Sequence, residues 1–294
     1  MASACRRPEP LRCFGVNRSS RNRRLAALLP LALGLALSMI GPLLQPAQAG
    51  PREQVQPASD AHCTSPTQVR PLALPANALA PAAAAPAADG SDYRHLLQPT
   101  PAGWPIVDHW CVWIEPANAE AGTAEAQRQA TWSSAVETAL QQWAGLLKIS
   151  LVSHPDQAQV RLWRRRPPLQ RLADGRQRAS HGRAVLSLVA AQRQQQWWAE
   201  PRIDVLLDPG RAPLPLQATA LHELGHAFGL WAHSDHPDDA MAAKPGARPV
   251  LQLSRRDRAT LLWLLRQSNR MPTAATPAET PAAAPTPPQA RKAD

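Results

Sequence analysis

Between about residues 104 and 270 the apolar and polar positions follow two periods. Trp110-Cys111-Val112-Trp113-Ile114 is a continuous apolar run, halted by Glu115-Pro116, and reads as a strand. From about Thr123 to Leu147 the positions Trp132, Val136, Ala139, Leu140, Trp143 and Leu147 fall three and four apart, the period of one helix face. Core packing is the expected role of these tryptophans. Lys148–Val152, Ala158–Trp163, Arg183–Val189 and Arg202–Leu207 are short apolar or alternating runs, hence strands. Asp208-Pro209-Gly210 stops the last of them. Prolines in Arg211–Pro215 place the next helix start near Leu216 or Gln217, with Leu221, Leu224, Gly225 and Phe228 on its buried face. Ser254-Arg255-Arg256-Asp257 has the form of a helix N-cap box, and Ala259, Leu262 and Leu265 continue it as a terminal helix. This order predicts an α+β domain with one twisted mixed sheet, a long helix, a second helix and a C-terminal helix.

The flanks are different. Residues 1–24 hold seven arginines and one acid, Leu25–Leu44 is apolar, and Ala47-Gln48-Ala49 is a small-residue exit. That combination predicts a signal peptide over 1–49, with an uncleaved anchor at 25–44 as the alternative. Arg23-Arg24 also permits a twin-arginine route. Residues 50–103 are rich in Pro and Ala and read as a linker or pro-segment, and 271–294 as a disordered Pro/Ala/Thr tail. The sequence therefore predicts one domain, over 104–270.

Charge changes little once the leader is set aside. The chain carries 32 − 22 = +10, residues 1–49 carry 7 − 1 = +6, and 50–294 carry 25 − 21 = +4. A balance of that size gives no reason to expect a nucleic-acid partner. Arg161, Arg164, Arg165 and Arg166 around Trp163 read as a solvated strand end in preference to a polyanion site.

The candidate chemistry is concentrated in one run. His222-Glu223-Leu224-Gly225-His226 places two imidazoles four residues apart on one helix face, where both can bind one Zn²⁺. Glu223 stands beside the first as a proton acceptor and not a ligand. Gly229 can take the left-handed conformation that ends a helix. His233 follows as a third nitrogen, leaving the fourth position of a catalytic metal open. Met241 lies eight residues further on.

Together these residues resemble the metzincin clan of zinc endopeptidases, and within it the matrixin-like bacterial members, in which H-E-x-x-H-x-x-G-x-x-H precedes a methionine turn. The resemblance implies one catalytic Zn²⁺ on His222, His226 and His233, Glu223 as general base and acid, Gly229 and Met241 as structural support, and hydrolysis of a protein or peptide substrate. It also implies that substrate lies along an edge strand, for which Arg183–Val189 is the expected segment. The motif departs from the pattern at one point: the third histidine is due at Ala232 and arrives at His233. Asp235 and His236 are therefore alternative third ligands.

Other groups have plainer readings. Cys5 and Cys13 lie in the leader. Cys63 and Cys111 are an even pair, for which a disulfide is expected in an exported chain; a zinc-capping Cys63 is the rival. Asp235, His236, Asp238 and Asp239 form a polar loop with room for a second cation, yet nothing indicates calcium. His154, His181 and Asp174 read as surface residues. The expected protein is a monomeric, secreted or periplasmic zinc endopeptidase, with no membrane contact beyond an N-terminal anchor. An inactive zinc-binding module and a metal-free tethered interaction protein are the alternatives.

Overall fold

The computed structural model describes residues 63–74, 89–171, 174–244 and 246–278. The leader expected at 1–49 lies outside them, as does the tail from 279. The fold is mixed α and β: three α-helices and a mixed sheet among the described residues. The strands are β1 (Gln68–Pro71), β2 (His109–Ile114), β3 (Lys148–Leu151), β4 (Val160–Trp163), β7 (Gly182–Arg193), β8 (Gln196–Leu207) and β9 (Thr273–Ala274). They run in the order β1-β7-β8-β4-β2-β3, with β9 added on β8. Strands β2, β3, β4 and β8 are mutually parallel, whereas β7 is antiparallel to β8. A small separate hairpin, β5 (Gln170–Arg171) with β6 (Gln177–Arg178), lies between β4 and β7 in sequence.

Helix α1 (Ala124–Ala144) begins where Thr123 caps it, its hydroxyl accepting from the Ala126 N–H at 3.1 Å. Its buried stripe, Trp132, Val136, Leu140 and Trp143, joins Val112, Val160, Leu162, Ile203 and Val205 of the sheet in one core. Helix α2 (Pro213–Ala227) enters the same core through Leu216, Ala220, Leu221 and Leu224. Phe228 closes it, edge-on to both Trp110 and Trp143 at 5.4 and 6.0 Å. Helix α3 (Arg255–Leu264) carries the expected box: the Asp257 N–H donates to Ser254 Oγ, and the Ser254 N–H to Asp257 Oδ2.

Three boundaries differ from the sequence reading. Helix α2 starts at Pro213 and not near 216, because the first helical N–H groups have no intrahelical acceptor and proline loses nothing there. The packed region reaches upstream of 104, since Tyr93 and Leu97 are fully buried. It also reaches past 270: β9 pairs Trp198 and Ala199, on a stretch of β8 beyond the end of β4. The two flanks meet, with Leu72 bridging Pro277. Cys63 and Cys111 are joined by a disulfide, their Cα atoms 5.7 Å apart.

Strand β1 covers only Val189–Gln192 of β7. Residues 182–188 therefore pair with β8 on one side and with no strand on the other among the described residues. This open edge runs past α2.

Candidate metal centre

Helical spacing brings His222 and His226 onto one face of α2 near its C-terminal end. The helix stops at Phe228, and Gly229 turns the chain with φ +108°. A side chain at Gly229 would also press on Leu264 and Ile106. The extra residue before His233 is absorbed immediately afterwards: the Trp231 N–H closes on the Gly229 carbonyl at 2.9 Å, a three-residue turn around Leu230. His233 then returns to the helix. The imidazole centroids of His222, His226 and His233 lie 4.8, 4.9 and 5.2 Å apart, and one ligand atom from each falls within 4.8 Å of the others.

Two of the rings are fixed by backbone. His222 Nδ1 is 2.8 Å from the Ala240 carbonyl oxygen and His226 Nδ1 is 2.7 Å from that of Leu230. A carbonyl only accepts, so each Nδ1 carries the proton and each Nε2 keeps its lone pair. Trp231 stacks on His226 at 5.6 Å. Burial holds both pKa values below the ordinary histidine value; that of His226 falls to about 3, with the neighbouring His222 adding to the effect. The His233 value is also lowered by burial. The three rings are thus neutral at physiological pH, the form in which imidazole binds a metal. Borderline-soft nitrogen donors with the second nitrogen committed to carbonyls fit a first-row dication such as zinc.

Glu223 faces the strand edge. Its Oε2 accepts the Ala184 N–H at 2.8 Å, and the residue is 9% exposed. Burial raises its carboxyl pKa to about 7, opposed by the Ala184 hydrogen bond and the Arg183 charge. Gly182 makes this position available, since a Cβ there would collide with Thr219 and with the Glu223 side chain itself. Met241 is fully buried, with its side chain against Gly225 of α2. A Cβ at Gly225 would overlap the Met241 sulfur, so glycine at this variable position of the motif is what lets the methionine reach the helix.

Asp257 is the functional residue that the sequence pattern understated. Its buried carboxyl oxygens accept from Tyr93 Oη, Ala240 N and Ser254 N at 2.8, 2.8 and 2.9 Å, and from Met241 N at 3.4 Å. The peptide group between Ala240 and Met241 is therefore held at both ends, by Asp257 through its N–H and by His222 through its carbonyl. The capping box was legible; the bonds to the methionine turn were not, because they depend on tertiary placement.

The alternative ligands point elsewhere. Asp235 pairs with Arg256 at 2.7 Å, and the His236 Nδ1 accepts from the Asp238 N–H at 3.4 Å. Asp239 is buried, bonded to Ser234 Oγ and 3.6 Å from Arg256. Among the described residues His222, His226 and His233 form the one cluster able to hold a metal. Cys63 is committed to its disulfide, away from any role as a zinc cap. His233→Ala is expected to weaken zinc binding by more than the roughly 100-fold upper cost of losing an outer-sphere partner. Equilibrium dialysis measures this; undiminished zinc in that variant would assign the third ligand elsewhere.

No protein-family model matches the chain, and no curated protein matches it.

Proposed function

We propose that the chain is a zinc-dependent endopeptidase of the metzincin type. One observation carries the reading: three neutral imidazoles converge beside a buried carboxylate that is hydrogen-bonded to the open edge of a strand. His222, His226 and His233 would hold the ion. Zinc bound there supplies Lewis acidity, lowering the pKa of a coordinated water and polarising a carbonyl.

The remaining work falls to the chain's own groups. Glu223 receives a proton at Oε1, the oxygen not bonded to Ala184, and returns it to the departing amine. Its low-dielectric surroundings keep both protonation states accessible near neutral pH. An extended peptide adds to residues 182–188 of β7 by main-chain hydrogen bonds, which orients the scissile bond beside Glu223. Met241 packs against Gly225 of α2 and takes no part in the chemistry.

The disulfide between Cys63 and Cys111 supports an oxidising compartment, and hence an exported protein. No helix among the described residues is long and apolar enough to cross a membrane. The reading is tested by release of new α-amino groups from an unfolded protein, the wild-type chain beside His226→Ala. Loss of release in the variant supports it, and equal release by both overturns it.

A further inference from the structure

Between β4 and β7 the chain leaves the main sheet and returns beside Glu223. Residues 161–183 hold eight arginines and one acid, 8 − 1 = +7. Residues 50–294 sum to 25 − 21 = +4, so the remainder of that stretch is 4 − 7 = −3. Positive charge is concentrated in one excursion, of which Arg165, Arg166, Arg171, Arg176 and Arg178 are exposed.

Half of these arginines are spent internally. Arg161 pairs with Asp204 at 2.7 Å, Arg166 with Asp208 at 3.0 Å and Arg176 with Asp174 at 2.7 Å. Arg164 donates to the carbonyls of Glu115 and Pro116. Arg165, Arg171, Arg178 and Arg183 have no carboxylate within 4.0 Å among the described residues. Arg171 and Arg178 occupy neighbouring rungs of the exposed β5–β6 hairpin, so one projects from each of its faces, opposite Gln177 and Gln170 and with no paired acid. Arg183 precedes Ala184 on β7, and its Nη2 is buried without a hydrogen-bond partner. Such a group carries a desolvation cost that an incoming anion relieves.

The base of the excursion is fixed. Asp208 holds Arg166 on the outgoing stem, while its N–H donates to the His181 carbonyl at 2.9 Å on the returning one. That point lies three residues before Ala184, whose N–H is bonded to Glu223.

We infer that this arginine excursion captures acidic stretches of polypeptide and delivers them onto the open edge of β7. The inference rests on the endopeptidase reading. Guanidinium forks match carboxylates bidentately, which sets the ligand chemistry. A polypeptide is favoured over a nucleic acid for two reasons. The adjoining strand edge offers main-chain pairing that only a peptide can use. The Trp163 face, which a base would need for stacking, is already covered by the Arg165 guanidinium at 4.3 Å.

The test uses a Glu-rich peptide and its Gln counterpart of equal length, beside a single-stranded oligonucleotide and anionic phospholipid vesicles. Anisotropy with the Glu223→Ala chain reads peptide and oligonucleotide capture without turnover, and co-sedimentation reads the vesicles. At low salt the Glu peptide is expected to bind about tenfold tighter, the product of several exposed pairs of roughly two- to threefold each. Arg171→Glu with Arg178→Glu, and separately 0.5 M salt (roughly a 4 Å screening length), should bring the two peptides together. Wild-type kcat/KM should show the same Glu-over-Gln ratio and the same collapse. Equal binding of the two peptides, or tighter capture of the oligonucleotide or the vesicles, overturns the inference. Selective capture with no cleavage leaves it standing and removes the peptidase reading; cleavage without selectivity does the reverse.

Discussion

Glu223→Gln is expected to lower kcat/KM for peptide hydrolysis by at least about a hundredfold, the low end for a general base, while one zinc per chain is retained. The amide keeps the size of the side chain and can still accept the Ala184 N–H, so the strand edge and α2 hold their positions. What disappears is the capacity to take up a proton at Oε1. The same variant has a second signature in the metal-free protein. The Glu223 pKa rises from 4.5 to about 7 on folding, so the folded state binds more protons than the unfolded state between those values. Stability then falls as pH rises through that window and is lowest above it. Glutamine does not titrate, so metal-free Glu223→Gln should gain on the order of 3 kcal/mol over wild type between pH 4.5 and 8. Thermal melts of the two chains across that range read it. A constant difference would mean that the carboxyl is not held in the buried position described.

Asp257→Ala should destabilise the chain by about 3–5 kcal/mol, among the largest effects of any single change outside the aromatic core. Removing the carboxyl strands the Ala240 and Ser254 N–H groups and the Tyr93 hydroxyl in a water-excluded region. The damage reaches the metal through one peptide group, because the Ala240 carbonyl that receives His222 Nδ1 loses its anchor. Asp257→Asn, which keeps the shape and one acceptor oxygen, should fold and show zinc affinity lowered about 10–100-fold. Zinc affinity unchanged in a folded Asp257→Asn chain would separate the helix cap from the site.

Local pattern and tertiary geometry divide the legible from the hidden. Helix α1 is written in its own stripe and its Thr123 cap, so the expected span of about 123–147 ends within three residues of the observed 124–144. His222, Glu223 and His226 are equally local, since helical spacing alone juxtaposes them. The β7–β8 hairpin was half seen. Its turn uses Gln194 and Gln195 at φ 48° and 64°, a conformation glutamine rarely signals, and the Gln196–Pro201 half lacks clean alternation. Strand β1 has no apolar pattern of its own; pairing with β7 accompanies the Cys63–Cys111 cross-link nearby. Gly182 and Ala184 act on Glu223 across 41 and 39 residues of sequence and Asp257 on Ala240 across 17, and nothing local marks those contacts.

The most direct measurement is metal content together with chelator-reversible cleavage of an unfolded protein, on one preparation of the full chain. One equivalent of zinc is expected, with hydrolysis lost on chelation and restored by zinc. Zinc at one equivalent with no hydrolysis would make the chain a zinc-binding module, and hydrolysis indifferent to the chelator, or a purified chain that binds no zinc, would contradict the account outright.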